Sequence, residues 1–416
     1  MEFAGHEPYL SIVATTRNDN HGGDLTKRTQ AFIDGLAAQA TRHRVPIELI
    51  LVEWNPPPDR RSLAEEMRWP KSTPFYRARV ITVPPEVHAT LDPEFRLPLY
   101  QMIGKNVGIR RARAPFILAT NIDLLFSDAL FREFRRGLKP NKLYRADRYD
   151  IEASVPADAS IDDALAYGEN HTIRINRAKG TLVKRNGTWV GTATSPFYPA
   201  LRSISHGITD ARHVVRHRLV ASGLGHGRTA GVLSFGALPA AAAVRVLHRS
   251  YARLRRRPPR HSQLDDIAKY RFAELRHTVR LWGKFVRLHT NACGDFTLLS
   301  RENWFRFFGY PEWVMYSWHI DSIFMMQIDA SRIKVHKFPT KARTYHIEHG
   351  GGWTPEQQAT LFERLRSRGV CYVTDDELLR LETECEEIRK QRGTKVFNDA
   401  GWGLADVALP EMPIAR

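Results

Sequence analysis

Four short apolar segments, separated by stretches of helical pattern, recur through the first 120 residues and constrain the chain most strongly. They are Tyr9–Thr15 (YLSIVAT), Ile47–Val52 (IELILV), Arg79–Val83 and Phe116–Thr120 (FILAT). Residues 25–43 read as an amphipathic helix, and Leu97–Arg111 and Phe126–Gly137 as further helices. Strands that alternate with helices at this pitch predict an α/β fold with parallel strands and helices packed on them. In such sheets ligands bind at the carboxyl ends of the strands. Polar clusters stand there: Arg17-Asn18-Asp19 after the first strand, Glu53 after the second, Asn121-Ile122-Asp123 after the fourth.

The second half is more mixed. Residues 181–192 (TLVKRNGTWVGT) read as a β-hairpin turning at Asn186-Gly187, a dipeptide that accepts the positive φ angles of a tight turn. A helix is expected from Ser262 to Arg280, a strand near Asp295–Leu299 followed by a helix over Arg301–Phe308, and two helices between Pro355 and Arg392 joined near Gly369. At 416 residues the chain has room for two or three domains, or for one large α/β domain with insertions. With 43% hydrophobic and 26% charged residues, wholesale disorder is excluded.

Charge narrows the choice of partner. The formal net charge is +17, and Leu201–Arg260 carries twelve arginines against one acid, Asp210, so most of the excess sits there. The same segment holds an apolar stretch, Ala230–Leu247, and then His248-Arg249-Ser250-Tyr251-Ala252-Arg253-Leu254-Arg255-Arg256-Arg257. Apolar residues flanked by arginine suit an anionic membrane surface. A solvated basic insertion is the plainer alternative. No interleaved aromatic pattern or nucleic-acid motif accompanies the charge, so nucleic acid is disfavoured. Cys293, Cys371 and Cys385 are too scattered for a disulfide scaffold or zinc cluster and read as reduced thiols. With no basic-then-apolar leader and no apolar run of membrane-spanning length, a cytoplasmic location is expected, with contact at the inner face of the membrane through 201–260.

Chemistry centres on Asn121-Ile122-Asp123. Oxygen-bearing side chains at i and i+2 of an extended segment point the same way and can hold a hard divalent cation on a diphosphate. Asp123 is equally suited to cap the helix that follows. The surrounding pieces are Lys105-Asn106-Val107-Gly108 upstream, Gly294-Asp295-Phe296-Thr297 and Phe308-Gly309-Tyr310-Pro311-Glu312 downstream, then Trp318-His319-Ile320-Asp321 and Tyr345-His346-Ile347-Glu348-His349, before Gly350-Gly351-Gly352.

In this order the pieces resemble nucleotide-sugar glycosyltransferases of the GT-A fold, in their inverting, family-2-like form. The resemblance covers about half the chain. It implies a single GT-A type (Rossmann-like) mixed sheet with helices on both faces, a long basic insertion and a helical C-terminal tail. Residues 1–145 would form the nucleotide-sugar half, 146–285 the insertion, 286–353 the acceptor half and 354–416 the tail. It implies donor contacts from Arg17, Asp19, Glu53, Lys105, Asn106, Asn121 and Asp123, and acceptor contacts from Asp295, Trp318 and His319. Asp321 would be the general base. Mn²⁺ or Mg²⁺ would be held by Asn121, Asp123 and His346, with His349 the nearby alternative.

Two departures from the family stand out. Its D-x-D is here Asn121-Ile122-Asp123, and its Glu-Asp pair is His319-Ile320-Asp321. Plainer roles stay open beside these: His346 as a strand histidine, Asp321 as a helix-capping acid, Asp295 as a turn brace, Trp318 as core, and Gly350–Gly352 as a turn rather than a lid. The expected activity is transfer of a sugar from a nucleotide diphosphate donor to a saccharide or lipid-linked acceptor. The alternatives are a sugar-phosphate nucleotidyltransferase and a non-catalytic basic binding protein.

Overall fold

The structure, a computed structural model, describes residues 7–156, 159–192, 284, 287–350 and 358–414. The chain divides into two units, Met1–Thr194 with Phe285–Arg416, and Ser195–Lys284. The basic segment 201–260, the helix expected over 262–280 and the glycines Gly351 and Gly352 lie outside the described residues.

The larger unit opens with β1 (Leu10–Thr16), α1 (Leu25–His43), β2 (Ile47–Trp54), α2 (Leu63–Glu66), β3 (Tyr76–Val83), α3 (Pro85–Leu91), α4 (Gln101–Arg111) and β4 (Phe116–Thr120). There follow β5 (Leu124–Phe126), α5 (Asp128–Arg136), β6 (Lys142–Arg145), β7 (Arg148–Ile151), α6 (Ile161–Asn170), β8 (Thr172–Arg177), β9 (Gly180–Arg185) and β10 (Thr188–Thr192). It continues with β11 (Phe296–Ser300), α7 (Arg301–Arg306), α8 (Ile320–Ala330), β12 (Lys334–Lys337), β13 (Thr344–Ile347), α9 (Gln358–Ser367), α10 (Asp375–Lys390) and β14 (Glu411–Ile414).

The fold is mixed α/β, but the expected single sheet is two. An eight-stranded sheet has the order β12-β6-β11-β4-β1-β2-β3-β14. Its centre, β4-β1-β2-β3, is parallel, while β11 and β14 run antiparallel to their neighbours β4 and β3. A six-stranded sheet has the order β10-β9-β8-β7-β13-β5. Among the described residues, the two shortest passages between the sheets are Asn121–Asp123 between β4 and β5 and Ala146-Asp147 between β6 and β7. Breaking β4 at Asn121 is what sends β5 into a second sheet.

The central strands are buried on both faces, which is why they read as unbroken apolar runs. Leu10, Ile12, Leu49, Leu51 and Leu118 share a core with Phe32, Ile33 and Leu36 of α1 and Phe131 and Phe134 of α5. The opposite face takes α4, where a Cβ on Gly108 would lie 2.5 Å from Val13 and 3.1 Å from Val52. The second sheet alternates instead. Tyr149, Ile151, Ile175, Tyr345 and Ile347 form its apolar face with Ala164 of α6. The intervening residues, Arg148, Asp150, Arg174, Asn176 and His346, are polar and therefore share the other face. In the tail, Gly369 (φ 64°) joins α9 to α10 as expected, and the hairpin turns at Asn186-Gly187 with both residues at positive φ.

Candidate metal centre

Asp123 ends the short connection from β4 and is 6% exposed. Its Oδ2 lies 3.1 Å from His349 Nε2 and 3.5 Å from His346 Nε2. His346 is fixed by strand register, since it pairs with Leu124 on β5 and Asp150 on β7. Three residues on, His349 follows the end of β13. Both imidazoles are held from behind. His346 Nδ1 lies 3.2 Å from Asp150 Oδ1, and His349 Nδ1 lies 3.0 Å from the Gly350 carbonyl oxygen. Each Nδ1 thus faces an oxygen and each Nε2 faces Asp123, the orientation that metal-ligating histidines take.

Electrostatics tie the three together. Burial favours a neutral Asp123, but His346 and His349 outweigh it and hold the carboxyl well below the usual range. Burial pushes His346 down, but Asp123 and Asp150 reverse this and raise it to about 10. Asp123 Oδ1 is buried without a hydrogen-bond partner, so one ligand oxygen stands uncommitted. The donor atoms of Asp123, His346 and His349 lie within 4.8 Å of one another, the set a divalent ion requires. Two imidazole nitrogens with one carboxylate suit Mn²⁺, Fe²⁺ or Zn²⁺ better than Mg²⁺, which prefers oxygen alone.

A second group, Asp150, His346 and Glu348, is equally close together but fits an ion poorly. Arg174 donates to both Asp150 (2.8 Å) and Glu348 (3.0 Å), and Arg148 pairs with Asp150 (2.8 Å). Those guanidiniums already neutralise the acids. Asp150, fully buried, is held below the usual carboxylate range against its own desolvation by Arg148, His346 and Arg174. It is the support of the centre, not a ligand.

Asn121 calls for a correction. Its Oδ1 accepts from Lys105 Nζ (2.8 Å) and Gln101 Nε2 (2.9 Å), and its amide donates to Asp295. With its oxygen occupied, it braces the centre where metal ligation was expected. Lys105 also donates to the Gly294 carbonyl (2.7 Å). Fully buried, it is lowered by desolvation to about 8, although Asp295, Asp321 and Asp123 pull the other way. Asp295 accepts from Asn121 and pairs with Arg148, so it serves as the brace and is buried away from an acceptor.

Asn106 calls for a second correction. It is fully buried and exchanges hydrogen bonds with Tyr310 (2.8 Å each way), while its amide also reaches Glu312 (2.9 Å). It pins the Gly309–Glu312 turn to α4. Trp318 packs edge-to-face on Phe362 of α9 and tilts against His319, which caps α8 at φ 65°. Its role as a sugar platform gives way to packing.

Arg17, Asp19 and Glu53 lie at the carboxyl ends of β1 and β2. Arg17 pairs with Asp19 (3.1 Å) and donates to the Asn55 carbonyl (2.7 Å). Glu53 accepts the Leu63 amide (2.9 Å) and keeps Oε2 buried without a partner. Asp321 stands in the first turn of α8, half-buried. It accepts the Ser322 amide through Oδ1 (2.7 Å), and its Oδ2 turns to Gly294.

Several residues escaped the sequence reading: Arg148, Asp150, Arg174 and Glu348 around His346, and His21 and Gly22 on the loop after β1. Period-two alternation in Arg148-Tyr149-Asp150-Ile151 and Thr172-Ile173-Arg174-Ile175-Asn176 was the available signal. Gly22 (φ 72°) leaves no space for a Cβ against the Gly350 carbonyl and His349, and Gly350 donates to the Gly22 carbonyl (3.2 Å). The β1 loop therefore lies directly on the metal-type cluster. No protein-family model matches the chain, and no curated protein matches it.

Proposed function

We propose that the chain is a metal-dependent glycosyltransferase of the GT-A type, moving a sugar from a nucleotide diphosphate donor to a saccharide or lipid-linked acceptor. The observation that carries this reading is the convergence of Asp123, His346 and His349 beside the carboxyl ends of β1 and β4, where parallel sheets take their ligands. The sequence order of strand, Arg17–Asp19 loop, Glu53, Asn-x-Gly helix and the acid after β4 adds to it.

A cation held by Asp123, His346 and His349 would neutralise charge building on the leaving diphosphate. Arg17, on the loop after β1, would donate to phosphate, and Glu53 would accept from the nucleoside. Asp321 takes the proton from the acceptor hydroxyl as that oxygen bonds to the anomeric carbon and the bond to the diphosphate breaks. Attack from the face opposite the leaving group inverts the anomeric centre. The basic segment 201–260 would bring the enzyme to an anionic membrane carrying lipid-linked acceptors.

A thermal-shift panel of nucleoside diphosphates and nucleotide sugars, each with and without Mn²⁺, tests this. A ligand at 100 times its Kd stabilises by about 2.7 kcal/mol, which moves a melting point by a few degrees. The expected result is a Mn²⁺-dependent shift with one nucleotide, lost in Asp123→Ala. A shift indifferent to metal removes the metal role of Asp123, His346 and His349. No shift from folded protein overturns the reading.

A further inference from the structure

The start of α1 buries an arginine. Its N-cap, Asp24, pairs with the exposed Lys27 (3.2 Å), and Arg28 follows in the first turn. Arg28 is 5% exposed. Its Nη2 donates to the His21 carbonyl (2.7 Å), while Nε and Nη1 are buried with no hydrogen-bond partner. Donors orphaned in this way cost free energy unless a ligand meets them. The acids that act on Arg28 are Asp123, foremost, and Asp24. Around the same loop, the His21 ring lies 6.0 Å from that of His349, and Arg364 of α9 acts on it electrostatically.

We propose that Arg28 is the second cationic point of an oxyanion site, its free guanidinium N–H groups donating to a phosphoryl group held beside the Asp123–His346–His349 centre. The inference rests on the reading of that centre as a holder of a divalent cation and a diphosphate. A phosphoryl group at this point accounts for an arginine buried with unmet donors. Arg28 selects for the phosphate and leaves the cation to its three ligands.

The test is calorimetric titration of the full chain, first with Mn²⁺ alone and then with the Mn²⁺–pyrophosphate complex. Wild type, Arg28→Gln and Arg28→Lys are compared, with melting temperatures for each. The expected result is that Arg28→Gln binds Mn²⁺ within about twofold of wild type but binds the complex about tenfold to a hundredfold more weakly, the range of a charge-assisted hydrogen bond lost. Arg28→Lys, which keeps the charge, recovers part of that loss. Equal binding of the complex by wild type and Arg28→Gln overturns the proposal while leaving the metal centre standing. Loss of Mn²⁺ binding in both variants makes Arg28 a structural residue and also overturns it. If wild type binds neither probe, the underlying reading falls, and the proposal with it.

Discussion

Glu53 shows how far one side chain can depart from its ordinary chemistry. It ends β2, fully buried, with one oxygen on the Leu63 amide and the other without a partner. Burial pushes its carboxyl from the ordinary 4.5 up to about 7, with Glu65 adding to the rise and the Leu63 hydrogen bond opposing it. The folded protein therefore keeps this proton over a range where the unfolded chain has given it up. Stability from Glu53 is complete below about pH 4.5 and is lost as pH rises through 7, a change of about 3 kcal/mol over the window. Glu53→Gln is neutral throughout and nearly the same shape. Urea unfolding at pH 5 and pH 8 should show the variant gaining on wild type by about that amount at the higher pH. An identical difference at both values would mean Glu53 titrates near its ordinary range.

At the scale of elements, α4 joins the two chemical halves, and its glycines set how closely it lies. Gly104 and Gly108 face Thr15 and Val13, and a Cβ on Gly108 would meet Val13 Cγ1 at 2.5 Å and Val52 Cγ2 at 3.1 Å. Gly108→Ala forces α4 off the sheet and should cost about 1–3 kcal/mol, read as a lower urea midpoint with an unchanged slope. A midpoint equal to wild type would show that the helix has room to move. One turn earlier, α4 also carries Lys105, so the same shift should weaken the Lys105–Asn121 brace. The sequence revealed those elements whose pattern is long and of one period: β1, β2, β4 and α1, with α1 matching its expected span of 25–43. It missed β5, β7 and β13, which are three or four residues long and mix charges with aromatic residues, so their period is visible only beside their partners. The site divides in the same way. Asp123 and His346 could be read because each follows or sits in a local motif. Asn121 and Asn106 were assigned to ligands because their true partners, Asp295 and Tyr310, come from about 175 and 204 residues further along the chain.

Across the whole molecule, the charge and the chemistry belong to different stretches of chain. Every residue of the Asp123 cluster and its supports comes from Met1–Thr194 or Phe285–Arg416, whereas the twelve arginines of 201–260 belong to Ser195–Lys284. No described helix is long and apolar enough to cross a membrane. Under the proposed reading, the local net charge of +11 would supply the electrostatic part of attachment to an anionic surface, and the apolar residues of Ala230–Leu247 the rest. Each basic residue at an anionic surface contributes roughly 1 kcal/mol, weakened by salt. Changing Arg249, Arg253, Arg255, Arg256 and Arg257 together to Gln should therefore abolish co-sedimentation with phosphatidylserine-containing vesicles at low salt. Mn²⁺ affinity should stay at the wild-type value, because no ligand or support of the cluster has been touched. If vesicle binding survives the five changes, the attraction lies outside this run. If wild type ignores anionic vesicles altogether, the arginines serve solvation, and the acceptor need not be membrane-bound.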